Sequence, residues 1–130
     1  HDAGLQLAGE ARFGPWEAEW GRAAARLLLN DGAAFDAVIC QNDVLARGCI
    51  EELERNGCRV PQDVAVIGHD NSPDYVSYAH PLLTSIDDNN EMLGRQAALC
   101  LLDAIAGHPH HGVERVPVKL IQRESTLPLD

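Results

Sequence analysis

Hydrophobic residues recur along this chain in two rhythms. The first is a step of three and four. Across residues 16 to 31, Trp20, Ala23, Ala24, Leu27 and Leu28 keep that step and predict a helix with one apolar face. Gly32, which tolerates the left-handed conformation, should close it. A second helix should run from Asn42 or Asp43, each a natural N-cap, to about Asn56, with Leu45, Cys49, Ile50 and Leu53 inward and Gly57 at its end. A third is predicted over residues 90 to 106, with Met92, Leu93, Ala97, Leu101, Leu102 and Ile105 as its buried face. The second rhythm is the short unbroken run. DAVIC at 36 to 40 and VAVI at 64 to 67 suit strands buried on both faces. LQLAGEARF, residues 5 to 13, predicts a short strand before Gly14-Pro15, and LLTSID, residues 82 to 87, a strand or extended crossover. VERVPVKLI, residues 113 to 121, reads as a strand broken by Pro117, hence an edge or a bulge. Residues 71 to 81 read as a loop with one helical turn between Pro73 and Pro81, and the polar tail from Gln122 to Asp130 as irregular.

Strands alternate with helices, and each crossover has room for a helix. That pattern predicts an α/β domain with a largely parallel sheet. Right-handed crossovers place the strand C-termini on one edge, where ligands of open α/β sheets bind. Four segments then send polar groups or an indole to that edge: Trp16; Gln41, Asn42 and Asp43; His69, Asp70 and Asn71; Asp87, Asp88, Asn89 and Asn90. Carboxylates accept from paired hydroxyls, an amide donates and accepts, and an indole stacks on the C–H face of a sugar ring. The set suits a small polyol. Plainer roles compete: Asp43 as a helix cap, Asn71 as a turn residue, Asp87 and Asp88 as a solvated pair, Trp16 as core.

Length and composition narrow the classes. A chain of 130 residues, 45% apolar and 23% charged, is one ordinary globular domain or a piece of a larger one. A net charge of −10 repels phosphate and argues against nucleic-acid or anionic-membrane binding by this part. No apolar run is long enough to span a bilayer, and no signal-like leader opens the sequence. Cys40, Cys49, Cys58 and Cys100 form no CxxC pair and read as reduced, mostly buried thiols, which favours the cytoplasm. No GxGxxG, GxxxxGK[ST] or GxSxG occurs, so no nucleotide cofactor or serine-hydrolase chemistry is expected. His108, His110 and His111 could bind a metal weakly, but in a turn-rich loop with no Cys or carboxylate at ligand spacing they read as plain surface histidines, and no metal is expected.

FDAVICQNDVLARGCIEELERNGCRVPQDVAVIGHDN resembles the effector-binding domain of the lac repressor/galactose repressor family. It has the strand, the Asn-Asp pair, the helix with Ala-x-Gly, and then Gly-x-x-x-Pro-x-Asp-Val-x-Val-x-Gly-x-Asp. PLLTSIDDNNEMLGRQAALCLLDAIAG and RESTLP are similar to later family segments, so the resemblance covers roughly residues 14 to 128. It implies a three-layer, parallel-sheet lobe of a periplasmic-binding-protein-like type I fold. Residues about 1–88 would be the C-terminal lobe and about 89–118 would cross to the N-terminal lobe. Residues about 119–130 would return, and the DNA-binding headpiece would lie outside this sequence. Having lost that partner lobe, 90 to 106 and the strand near 113 to 118 should fold back or pair with another copy. The family's ligand contacts fall on Trp16, Asn42, Asp70 and Asp88, and its dimer surfaces match residues around 17 to 22, 46 to 53 and 74 to 81. Two departures bear on specificity. His69 stands where relatives carry Phe or Tyr, and Asp88 where they often carry Gln. The implied function is the sugar-sensing part of a cytoplasmic, homodimeric, non-enzymatic transcriptional regulator, which meets operator DNA only through that headpiece. The alternatives are an extracytoplasmic sugar-binding protein of an uptake system and a carboxylate-dependent glycosidase.

Overall fold

The computed structural model describes residues 4, 6–32 and 34–126. Its elements are α1 (Ala18–Asn30), β1 (Ala37–Ile39), α2 (Asp43–Arg55), β2 (Ala65–His69), α3 (Pro73–Val76), β3 (Thr84–Asp87), α4 (Asn90–Ile105) and β4 (Lys119–Ile121). One sheet has the order β1-β2-β3-β4. β1, β2 and β3 run parallel, and β4 joins β3 antiparallel. The parallel α/β expectation holds, and three strand C-termini share one edge. The single helical turn expected after Pro73 is α3.

Helix α2 starts and stops for local reasons. Asn42 is extended, and its Oδ1 accepts the Leu45 N–H at 2.8 Å, satisfying one donor of the unpaired first turn. After Arg55, Gly57 adopts φ +84°, and the Cys58 N–H returns to the Leu53 carbonyl at 3.0 Å. The cap is therefore Asn42. Asp43, the other candidate, is buried in the first helical turn and does different work, described below.

The core joins α2 to one sheet face: Ala46, Cys49, Ile50 and Leu53 meet Val66 and Leu83. Helix α1 packs on α2 so closely that no side chain fits at two points. A Cβ on Gly48 would lie 2.0 Å from the Ala18 carbonyl oxygen, and one on Gly21 would lie 2.3 Å from that of Leu45. This moves the buried face of α1. Gly21 and Ala25 are buried, whereas Leu27, expected inward, is exposed. The backbone approach needs the smallest residues, which the periodicity of large apolar side chains does not mark. Arg26 clamps the pair by donating to both oxygens of Glu52 at 2.9 and 3.1 Å. From residue 46 to 53 every residue except Glu51 is buried within this chain.

The tail is irregular but not idle. Ser125 is fully buried and bonds both β2 and β3. Its hydroxyl donates to the Val66 carbonyl at 2.6 Å and accepts the Thr84 N–H at 2.8 Å. Its own N–H donates to the Leu82 carbonyl, and its carbonyl accepts the Val66 N–H.

Other expectations change. Residues 6 to 13 contain no strand and are exposed. The segment 113 to 121 is strand only from Lys119, because Pro117 offers no N–H to a ladder. All four cysteines are free thiols, but only Cys49 is fully buried; Cys40, Cys58 and Cys100 are half-buried. Helix α4 forms over the expected residues but buries none of them, and Ile105 is 75% exposed. It does not fold back on the lobe. The readings of residue 5 and of residues 127–130 lie outside the described residues.

Candidate functional site at the strand ends

The edge is built by three strand ends and a turn in an unusual conformation. Strand β2 runs through Gly68 to His69, so Gly68 is not where the chain turns. Its role is spatial: a Cβ there would sit 2.2 Å from Asp43 Oδ1. The space it vacates lets the Asp43 carboxylate accept the Ser85 hydroxyl at 2.6 Å and the Ser72 N–H at 2.7 Å. One buried carboxylate thus ties the start of α2 to β3 and to the loop after β2. Burial pushes the Asp43 pKa up, and the bonds from Ser85 and Ser72 oppose that shift.

The turn falls on Asp70 and Asn71, with φ of +97° and +50°. Asn89, after β3, has φ +56°. Positive φ is rare without glycine, and Asp and Asn adopt it most readily. The turn is held from below. The Asp70 N–H donates to the Ile86 carbonyl at 2.9 Å, and the Asn71 N–H to Ser85 Oγ at 3.1 Å. Arg123, from the tail, donates to Asn71 Oδ1 at 2.7 Å and to the Leu83 carbonyl at 2.7 Å. Asp87 accepts the Asn89 N–H at 2.8 Å, so it shapes its own turn.

Above this frame, His69 lies between two carboxylates. Its Nδ1 is 3.4 Å from Asp70 Oδ1, and its Nε2 is 3.2 Å from Asp88 Oδ1. A neutral imidazole has one N–H, so it can donate to only one of them. Each carboxylate has a second oxygen and further lone pairs, so both keep acceptor capacity for an incoming hydroxyl. These three side chains are also close enough to meet a cation, a property that clustered acidic groups often have.

The four expected contact residues fare differently. Asp70 and Asp88 are brought together through His69. Asn42 is 5% exposed and spends its oxygen on the helix cap. Among the described residues its Nδ2 makes no hydrogen bond, which leaves a donor for a ligand. Trp16 is 73% exposed, and no strand precedes it among the described residues. Arg123 and Ser85, which support the turn, carried no signal in the sequence, because they lie 52 and 14 residues from Asn71.

A hollow of about 1050 Å³ lies elsewhere, lined by Glu54, Pro61, His80, Pro81 and Glu124 among others. It sits at the opposite end of the sheet from His69, away from Asp70 and Asp88. At the strand-end edge Asp70 is exposed, and His69 and Asp88 are half-buried.

A family model of the periplasmic binding protein-like domain matches residues 1–126. The chain is 36% identical over 114 residues to the HTH-type transcriptional regulator CelR of Thermobifida fusca, covering 87% of this chain and 33% of that protein. Among solved structures it is similar to the lac repressor dimer bound to operator and the anti-inducer ONPF. That match has a TM-score of 0.81 and 32% identity, and covers 88% of this chain and 40% of that one. It is equally similar to the CelR–cellobiose complex, with a TM-score of 0.81 and 35% identity, covering 95% and 38%. The chain spans about a third of the length of the curated relatives it matches.

Proposed function

Because the chain belongs to the periplasmic-binding-protein-like family, in the form found in lac repressor/galactose repressor-type regulators, we propose that it is the effector-sensing part of a bacterial transcriptional regulator. A small polyol, most simply a sugar, binds in the interlobe cleft. Asp70 and Asp88 accept its hydroxyls, Asn42 donates through Nδ2, and Trp16 stacks on the ring. The carrying observation is the convergence of Asp70, His69 and Asp88 on one edge from two different strand ends. His69 bears on specificity because it stands between the two carboxylates and orients them.

Residues about 1–88 form the C-terminal lobe, about 89–118 reach the N-terminal lobe, and about 119–130 return. The exposed apolar side chains of α4 support this division, since they match a helix whose cover is a second lobe. Effector binding changes lobe closure through differential affinity for two states, and so controls operator binding by a headpiece in a cytoplasmic homodimer. The part senses rather than catalyses.

The test uses the full-length protein. A thermal-shift screen against sugars identifies the effector, since a ligand bound only by the native state raises Tm. Asp70→Asn keeps a residue tolerant of positive φ while removing the charge. Effector response should then fall by about 10-fold or more, with operator affinity unchanged, for the loss of roughly 1.5–3 kcal/mol of charge-assisted bonding. An unchanged response would show that Asp70 does not bind the effector.

A further inference from the structure

The loop after α4 folds back so that His110 bridges Asp103 of that helix and Glu114 further along the chain. Its Nδ1 is 2.9 Å from Glu114 Oε1, and its Nε2 is 2.7 Å from Asp103 Oδ2. The Cys100 thiol lies 3.7 Å from Glu114 Oε2, which also accepts from Gln96 at 2.8 Å. Cys100, His110 and Glu114 each offer a ligand atom, and these atoms all lie within 4.8 Å of one another. Zinc bonds sulfur at about 2.3 Å and nitrogen or oxygen at about 2.0–2.2 Å, so tetrahedral ligand atoms sit roughly 3.3–3.7 Å apart. The cluster is therefore within small side-chain shifts of a zinc shell.

We propose that Cys100, His110 and Glu114 form a zinc-class metal site that staples the loop after α4 to the helix. Water fills the fourth position. A thiolate, an imidazole and a carboxylate together favour zinc over magnesium or calcium, which take oxygen ligands. The surroundings match what metal sites require beyond their ligands. Asp103 accepts from His110 Nε2, which leaves Nδ1, 2.9 Å from Glu114 Oε1, as the ligand atom in the usual partnership of a metal-bound histidine, and Gln96 orients the Glu114 carboxylate. Gln96, Cys100 and Asp103 also share one helical stripe. On binding, the Cys100 thiol gives its proton to buffer and its sulfur lone pair to the metal.

The test is titration of metal-free, reduced, full-length protein with Co²⁺, followed by competition with Zn²⁺. One equivalent should bind, with a thiolate-to-cobalt charge-transfer band and intense tetrahedral d–d bands, and Zn²⁺ should displace it. Cys100→Ser should remove the charge-transfer band, and His110→Ala should weaken binding by about 100-fold or more. Asp103→Asn should weaken it by roughly 10- to 100-fold while the band persists. All three side chains are exposed or half-buried, and circular dichroism of each variant checks its fold. A charge-transfer band that survives Cys100→Ser would overturn the proposal, as would binding lost on replacing His108 or His111 instead, or no Co²⁺ retained after dialysis.

Discussion

At the scale of single residues, the strand-end edge depends on one buried carboxylate that touches no ligand in the proposed site. Asp43 holds Ser85 and Ser72 together, and Gly68 is small because Asp43 occupies the space its Cβ would need. Asp43→Asn would put an amide N–H against one of two donors and lose a charge-assisted bond. It should destabilise the protein by about 1–3 kcal/mol, seen as a lower urea midpoint with an unchanged slope. Relief of the desolvation that raises the Asp43 pKa opposes this, and a midpoint at or above the parent's would show that relief outweighs the lost bonds. The identity of the cap was left open by the sequence, since Asn42 and Asp43 both suit that role and sit side by side. Their division of labour was decided by Ser85, 42 residues further on.

At the scale of elements, α1 and α2 are joined by glycine contact and by the Arg26–Glu52 clamp. Gly48→Ala should cost several kcal/mol, because its new methyl meets backbone rather than a side chain that can move aside. Chemical denaturation measures it, and a change under ~0.5 kcal/mol would mean the helices can separate without cost. The clamp also sets an acid response. The Glu52 carboxyl is held below its ordinary 4.5, chiefly by the bonds from Arg26. A lowered folded value contributes stability above the unfolded value, lost as pH falls through the folded one. Arg26→Gln should lower stability at about pH 6 and flatten its decline below 4.5, as urea midpoints across that range would show. The glycines were visible in the sequence, but their purpose was not. Periodicity marks where large apolar residues recur and says nothing about where two backbones touch.

At the scale of the molecule, the unmatched feature is α4, a 16-residue helix without a buried residue. Under the proposed division it is a helix of the other lobe. Leu101→Ala in the full-length protein should then cost about 2–5 kcal/mol, the usual loss for a buried leucine. A cost near zero in calorimetry or denaturant melts would place that face in solvent. The element order from residue 16 onward and the edge with its polar groups were legible because they follow from patterns within a few residues, whereas the strand expected over residues 5 to 13 is absent among the described residues. A helix cap, a strand run and a Gly stop are all read by near neighbours. Tertiary structure alone decided the rest. Ser125 bonds Val66 across 59 residues, and Arg123 braces the Asn71 turn across 52. Cys100, Asp103 and Glu114 gather around His110, one of three histidines that read as plain surface residues in their loop. Hydrogen bonds and metal ligation depend on distances of a few ångströms, and a linear sequence fixes such distances only for residues that are already neighbours.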